Sequence, residues 1–422
     1  MDDALIESLK TAFHKDEHAT VRQLFTQSPE LKRFVHAPVG PFNSPAICNV
    51  RSDGMLDALL DAGADINAKS QWWAGGFCLL DHANDALAHY AIQRGAKVEV
   101  NAAARLGLLE RLRELVCTKP DLVNAPGGDG QRPLHVARNV EIAQFLIDHG
   151  AEIDAKDVDH ESTAAQYHIA ERQDIVRMLI RHGAKTDIFM AAALGDPALA
   201  TRHLDTDPNC IRHRVDSHHF PMVNPRAGGT IYNWTLGVGI SPHRAAMRFK
   251  RDAVVKLLMD RSQPEVQLVN CCWLNDALGV KRLLTNYPGL VDQLPAIDRS
   301  AAADAARERN WSALRLLLDT GFPVDARGQH EGTALHWAAW HGNRAAVAEL
   351  LERGAEIELR DADHQATPLE WTLHASENGW FRDEGDYPAV ATLLAKAGAK
   401  IPTKISGTPE TQAAVRSILA SR

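Results

Sequence analysis

LLERGAEIE (350–358) is one of five copies of a single motif, the others being LLDAGADIN (59–67), LIDHGAEID (146–154), LIRHGAKTD (179–187) and LLDTGFPVD (317–325). In each copy an apolar helical run meets a glycine and then a short extended stretch. Glycine enters the left-handed conformation that closes a helix without a Cβ penalty, so this pattern marks a helix end and a turn. The turn glycines are Gly63, Gly150, Gly183, Gly321 and Gly354, with Gly95 and Gly398 in weaker copies. Gly150 and Gly183 stand 33 positions apart, and so do Gly321 and Gly354. A fixed period of this size marks an array whose units bury their apolar faces against their neighbours.

A second motif follows the turns. RPLHVA (132–137) and TALHWAAWHGN (333–343) are the clearest copies, and TPLEWTLHA (367–375) and SPHRAA (241–246) are looser ones. Thr or Ser followed by Pro opens a helix as N-cap and first residue, and the alanines that follow let neighbouring helices approach. With the 33-residue period, these motifs resemble the ankyrin repeat family, as a stand-alone array of bacterial type, over about residues 3–403.

The resemblance implies an all-α solenoid of about twelve helix pairs joined by short β-hairpins. Residues 1–405 would form the array and 406–422 a C-terminal capping helix, with Thr408 as N-cap. It also implies directions. Trp337 and Trp371 fall on buried positions, and Trp340 and His341 on the concave face. His374 takes the place of Trp340 one repeat later, and Arg307 and Glu308 take the paired places one repeat earlier. The motif histidines His135, His243 and His336 would bond the neighbouring turn; Glu370 takes that place in the last repeat, either accepting from the same turn or free to act in the groove, and Asp81 stands there in an early one.

Two stretches break the period. RVDSHHFPMVNPRAGGTIYNWTLGVGI (214–240) shows no helical periodicity and reads as an enlarged hairpin, with strands at 220–224 and 230–236 around a Pro-Arg-Ala-Gly-Gly turn. Alternation would put Tyr232, Trp234 and Leu236 on one face, aimed at a partner or packed as local core. SENGWFRDE (376–384) lengthens the spacing from threonine to glycine from nine residues in 333–342 to eighteen in 367–385. Stacking requires neither insertion, and in repeat arrays insertions cluster on a binding face. The candidate binding residues are therefore Trp340, His341, His374, Trp380, Arg382 and Asp386 at one end, and His218, His219, Arg226, Tyr232 and Trp234 in the other insertion.

The bulk numbers narrow the function. The 422 residues carry a net charge of −8, with 45% hydrophobic and 24% charged residues. No basic run dominates, which argues against nucleic acid, and no apolar run reaches the ~18 residues of a membrane span. The opening MDDALIESLK lacks a secretory pattern, and the six cysteines show no C-x-x-C spacing, so a reduced cytoplasmic protein is expected. His213, His218, His219 and His243 bracket the first insertion without the tight spacing of a zinc site, so no metal or other cofactor is expected. The expected function is a binding module for a protein or peptide, engaged through the groove and hairpin tips. The alternative is a small polar ligand such as a sugar, or a hydrolase, lyase or isomerase, with both insertions closing one pocket. No nucleophile elbow, phosphate loop or H-E-x-x-H motif supports catalysis.

Overall fold

The computed structural model describes residues 3–38 and 40–421. They divide into two compact units, Met1–Arg251 and Asp252–Arg422.

In the unit Asp252–Arg422, short inner helices Ala301–Arg307, Ala334–Trp340 and Pro368–Asn378 pack in succession. Each is backed by an outer helix: Trp311–Thr320, Arg344–Glu352 and Tyr387–Lys396. The inner helices meet through alanine. Ala302, Ala303, Ala305, Ala306, Ala334, Ala338 and Ala339 are all fully buried. Leu317, Val347, Leu350, Val390 and Leu394 supply the outer layer. Pro409–Ser421 packs on Tyr387–Lys396, and Thr408 Oγ1 accepts from the Thr411 amide at its start.

The unit Met1–Arg251 uses the same pairing with more 3-10 turns. Pro133–Val136 and Leu79–Asp81 replace inner helices by single turns. Its core runs from Val21, Leu31 and Ile47 through Leu56, Leu87 and Ala103 to Ile142, Leu179 and Phe189.

All seven turn glycines have positive φ, from 81° at Gly354 to 108° at Gly398. A Cβ at any of them would meet nothing within 4 Å, so the left-handed backbone, and not crowding, selects glycine there. Two of the motif histidines, His135 and His336, bond the neighbouring turn as expected. His336 receives the Thr333 amide on Nδ1 and donates from Nε2 to the Ala366 carbonyl (3.2 Å), and His135 does the same with Arg132 and Ser162. Burial lowers both to about 4, so both are neutral. Glu370 accepts the Thr367 amide, and Asp81 accepts the Cys78 amide.

Two expectations are corrected. Among the described residues the hairpins reduce to isolated bridges, Gly40–Ser44 and Lys156–Thr163. Aspartate side chains tie two of the tips: Asp157 accepts the amides of His160 and Ser162, and Asp361 those of His364 and Ala366. The 214–240 insertion is no strand pair either. Asn233–Gly237 is a π-helical turn, so the alternation across Tyr232, Trp234 and Leu236 fails. Tyr232 and Leu236 are fully buried while Trp234 is 59% exposed.

All six cysteines are free. Burial pushes the Cys48, Cys210 and Cys271 thiols up to about 11 and those of Cys78 and Cys272 up to about 12. Cys117 lies exposed on Leu109–Thr118.

Candidate functional site

In the unit Asp252–Arg422 the small residues of Ala334–Trp340 leave two tryptophans at its end. Trp337 is 2% exposed, with the Trp371 ring edge-on at 5.0 Å and the Trp380 ring stacked at 6.0 Å. Trp340 is half-buried, with His374 stacked at 6.0 Å and Trp380 edge-on at 5.5 Å. These rings line a cavity of about 400 Å³ with His330, Asp361, Asp363 and Glu370 on its polar side. Trp371 Nε1 donates to Asp361 at 2.8 Å. The indole N–H groups of Trp337 and Trp340 are buried without a hydrogen-bond partner. A buried donor left unpaired costs on the order of 1–3 kcal/mol, which an acceptor brought in from outside would recover.

The 376–384 insertion forms part of this site. Its first residues extend the inner helix to Asn378, giving Pro368–Asn378 11 residues where Ala334–Trp340 has 7. The chain then loops back. The Asp386 amide donates to the Gly342 carbonyl, and the Tyr387 hydroxyl to the Trp340 carbonyl. Arg309 pairs with Glu384 at 2.5 Å and lies 4.0 Å over the Phe381 ring. This holds Trp380, 63% exposed, against Trp337 and Trp340.

The structure thus brings Trp340, His374 and Trp380 together. His341, expected on the open face, is instead 6% exposed under Phe381 and Trp380, with Nε2 donating to the Arg307 carbonyl; burial lowers it to about 4. Arg382 turns back to the Glu377 carbonyl, and Asp386 caps Tyr387–Lys396 by accepting the Ala389 amide. Neither reaches the cavity.

The unit Met1–Arg251 holds the other insertion. Tyr232 sits in the core between Phe189 and Phe220, its hydroxyl donating to Asp187 at 2.8 Å, so it is not a surface contact. His219 pairs with Asp216 at 2.9 Å, and His218 is exposed beside it. The Arg226 guanidinium lies 4.4 Å over the Trp73 ring. Trp234 stands 4.7 Å from the His160 ring. The insertion is tied down along 157–163. Glu161 accepts the amides of Val223 and Asn224, Ser162 Oγ accepts that of Ile231, and the Asp159 carbonyl accepts that of Gly228.

Beneath it lies a group that sequence reasoning missed: Asp129, Asp159 and His160, all buried. Burial pushes the Asp129 carboxyl up to about 6, with His160 and the Trp72 indole opposing and Asp159 reinforcing. A signal for the group existed. DVDHEST (157–163) recurs as DADHQAT (361–367), with aspartate and histidine at matching places.

The family model for ankyrin repeats, in three copies, matches residues 100–190 and 242–361, half of the chain. Among similar proteins, the E3 ubiquitin-protein ligase XB3 of Oryza sativa subsp. japonica is 32% identical over 108 residues, 25% of this chain and 24% of that protein. The putative E3 ubiquitin-protein ligase XBAT31 of Arabidopsis thaliana is 28% identical over 114 residues, 27% of this chain and 25% of that protein. The palmitoyltransferase Hip14 of Drosophila melanogaster is 33% identical over 86 residues, 20% of this chain and 12% of that protein. The chain therefore matches about a quarter of each plant ligase and less of the transferase.

Proposed function

We propose, since the chain belongs to the ankyrin repeat family, that it is a binding module whose unit Asp252–Arg422 grips a basic side chain of a protein or peptide partner. The observation that carries this reading is the cavity itself. Trp337, Trp340, Trp371 and Trp380 line it together with the carboxylates of Asp361, Asp363 and Glu370. A lysine or arginine side chain meets both demands, its stem on the rings and its charge facing ring faces and carboxylates. Tryptophan is also a residue type favoured at the energetic centres of interfaces.

Tryptophan fluorescence titrated with short lysine- or arginine-bearing peptides tests this. Saturable quenching is expected, lost in both Trp340→Ala and Trp380→Ala. Equal response to glutamine-substituted peptides would remove the cation from the reading. Binding untouched by both substitutions would move the partner elsewhere on the chain.

One observation favours a second reading. A cavity of about 400 Å³ lies within the roughly 300–1,000 Å³ of small-ligand pockets. Stacked rings beside carboxylates also suit a small polar ligand such as a sugar. The same titration with monosaccharides separates the two.

A further inference from the structure

The buried Asp129, Asp159 and His160 group has the arrangement of a ligand set. Each residue offers one atom, and these atoms lie within 4.8 Å of one another. His160 Nε2 stands 3.7 Å from Asp129 Oδ2 and 3.7 Å from Asp159 Oδ2. That is too long for a hydrogen bond. It is close to what two ligands sharing one tetrahedral ion require, since bonds of ~2.1 Å at about 109° put ligand atoms ~3.4 Å apart, and the side chains need close by only about 0.3 Å.

The other ring nitrogen fixes the tautomer. Nδ1 lies 2.9 Å from the Gly229 carbonyl, which only accepts, so Nδ1 carries the proton. In the neutral ring Nε2 then presents a lone pair to two carboxylates. An imidazole held by a backbone carbonyl on one nitrogen, with the other free, is the usual state of a metal-binding histidine.

The carboxylates point the same way. Asp159 is 5% exposed, and its Oδ1 is buried with no hydrogen-bond partner. Asp129 is 8% exposed, and its Oδ1 also lacks one within hydrogen-bond geometry, although the Trp72 indole lies close enough to favour the charged carboxylate. Among the described residues no lysine or arginine pairs with either. With the His160 ring neutral, two carboxylates buried together have no cation to offset them, and that is costly.

We propose that Asp129, Asp159 and His160 bind one first-row divalent cation, through His160 Nε2 and one oxygen from each carboxylate. One nitrogen and two oxygen donors suit manganese, iron(II), cobalt or zinc over soft metals, and three protein ligands leave a coordination position to solvent. The 214–240 insertion builds the site: its Gly229 carbonyl orients the ring, and its Gly228 amide holds the Asp159 carbonyl at 2.9 Å.

The test uses the full chain without a histidine tag, stripped by chelator and titrated calorimetrically with Mn²⁺, Co²⁺ and Zn²⁺ separately. One ion per chain is expected, with a rise in melting temperature on binding. Asp159→Asn and His160→Ala should each weaken it at least about 10-fold, while Asp363→Asn, in the matching tip of the other unit, should leave it unchanged. Circular dichroism confirms that each variant is folded. The wild-type chain needs no such control, and its failure to bind any of the three ions at millimolar concentration overturns the proposal. So does binding that survives both Asp159→Asn and His160→Ala, or that is lost in Asp363→Asn.

Discussion

The tips 157–163 and 361–367 start from nearly the same sequence and end in different surroundings. Their first aspartates do identical work. Asp157 accepts two tip amides and the Tyr167 hydroxyl; Asp361 accepts two tip amides and the Trp371 indole. Burial raises both carboxyls, yet Asp157 ends above its ordinary value and Asp361 below, because only at Asp361 do the hydrogen bonds to the carboxylate together outweigh burial. Beyond that residue the tips diverge. In the first, Asp159 and His160 are covered by the 214–240 insertion. In the second, His364 is exposed and Asp363 pairs at 2.5 Å with His330, both near half exposed. A repeat motif sets the local turn, and what an insertion lays over it decides whether its polar side chains meet water or one another.

Acid provides the largest expected effect, and it should strike both units. His135 and His168 in one, and His336 and His341 in the other, are lowered to about 4 by burial. An unfolded chain protonates these imidazoles near 6.5, before the folded one does. Their stabilisation is therefore complete above pH 6.5 and is lost as pH falls toward 4, by up to about 3 kcal/mol for each. Urea melts from pH 7 to pH 4 should show a steep loss, and hydrogen exchange should place it in both units. Loss confined to one would break the symmetry of the motif histidines.

Tyr232→Ala comes next. It empties a fully buried site and strips Asp187 of its phenol partner, so a cost of about 4 kcal/mol is expected, with Tyr232→Phe recovering most of it. Exchange should rise in Met1–Arg251 alone. A change within the noise of the melts would mean that the insertion is not part of that core.

Trp337→Ala is the counterpart in the other unit, at about 3 kcal/mol, since Trp337 is buried but borders a cavity. Its exchange signature should stay within Asp252–Arg422. Gly63→Ala and Gly354→Ala should be smallest and equal, about 1 kcal/mol each, because both have positive φ and open space at Cβ. A clear inequality in melting would show that the two turns are not equivalent.

The repeats were legible because their cause is local. A glycine of positive φ, a capping threonine and a helix of alanines each leave a mark at a fixed place. Trp337 and Thr408 could be assigned from that pattern alone. The insertions were recognisable as departures, but their conformation was not. Tyr232 and Trp234 alternate like strand residues, and a π-helical turn sends one into the core and the other to solvent. His341 looked open because the loop that covers it begins 38 residues later, at Gly379. The Asp129 group joins residues 129, 159, 160 and 229, a contact set that no single motif spells out, although the duplicated D-x-D-H tip marks two of its members.

The distribution of thiols gives the molecule a practical handle. Five of its cysteines are held mainly by burial in forms reluctant to ionise, and a maleimide reacts with thiolate. Cys117, exposed on an outer helix far in sequence from both insertions, is left as the natural attachment point. At neutral pH a single fluorophore should couple there without any engineered substitution. The native chain can then be tethered to a surface or fitted with a donor dye while every tryptophan discussed above stays in place to serve as the reporter of what binds.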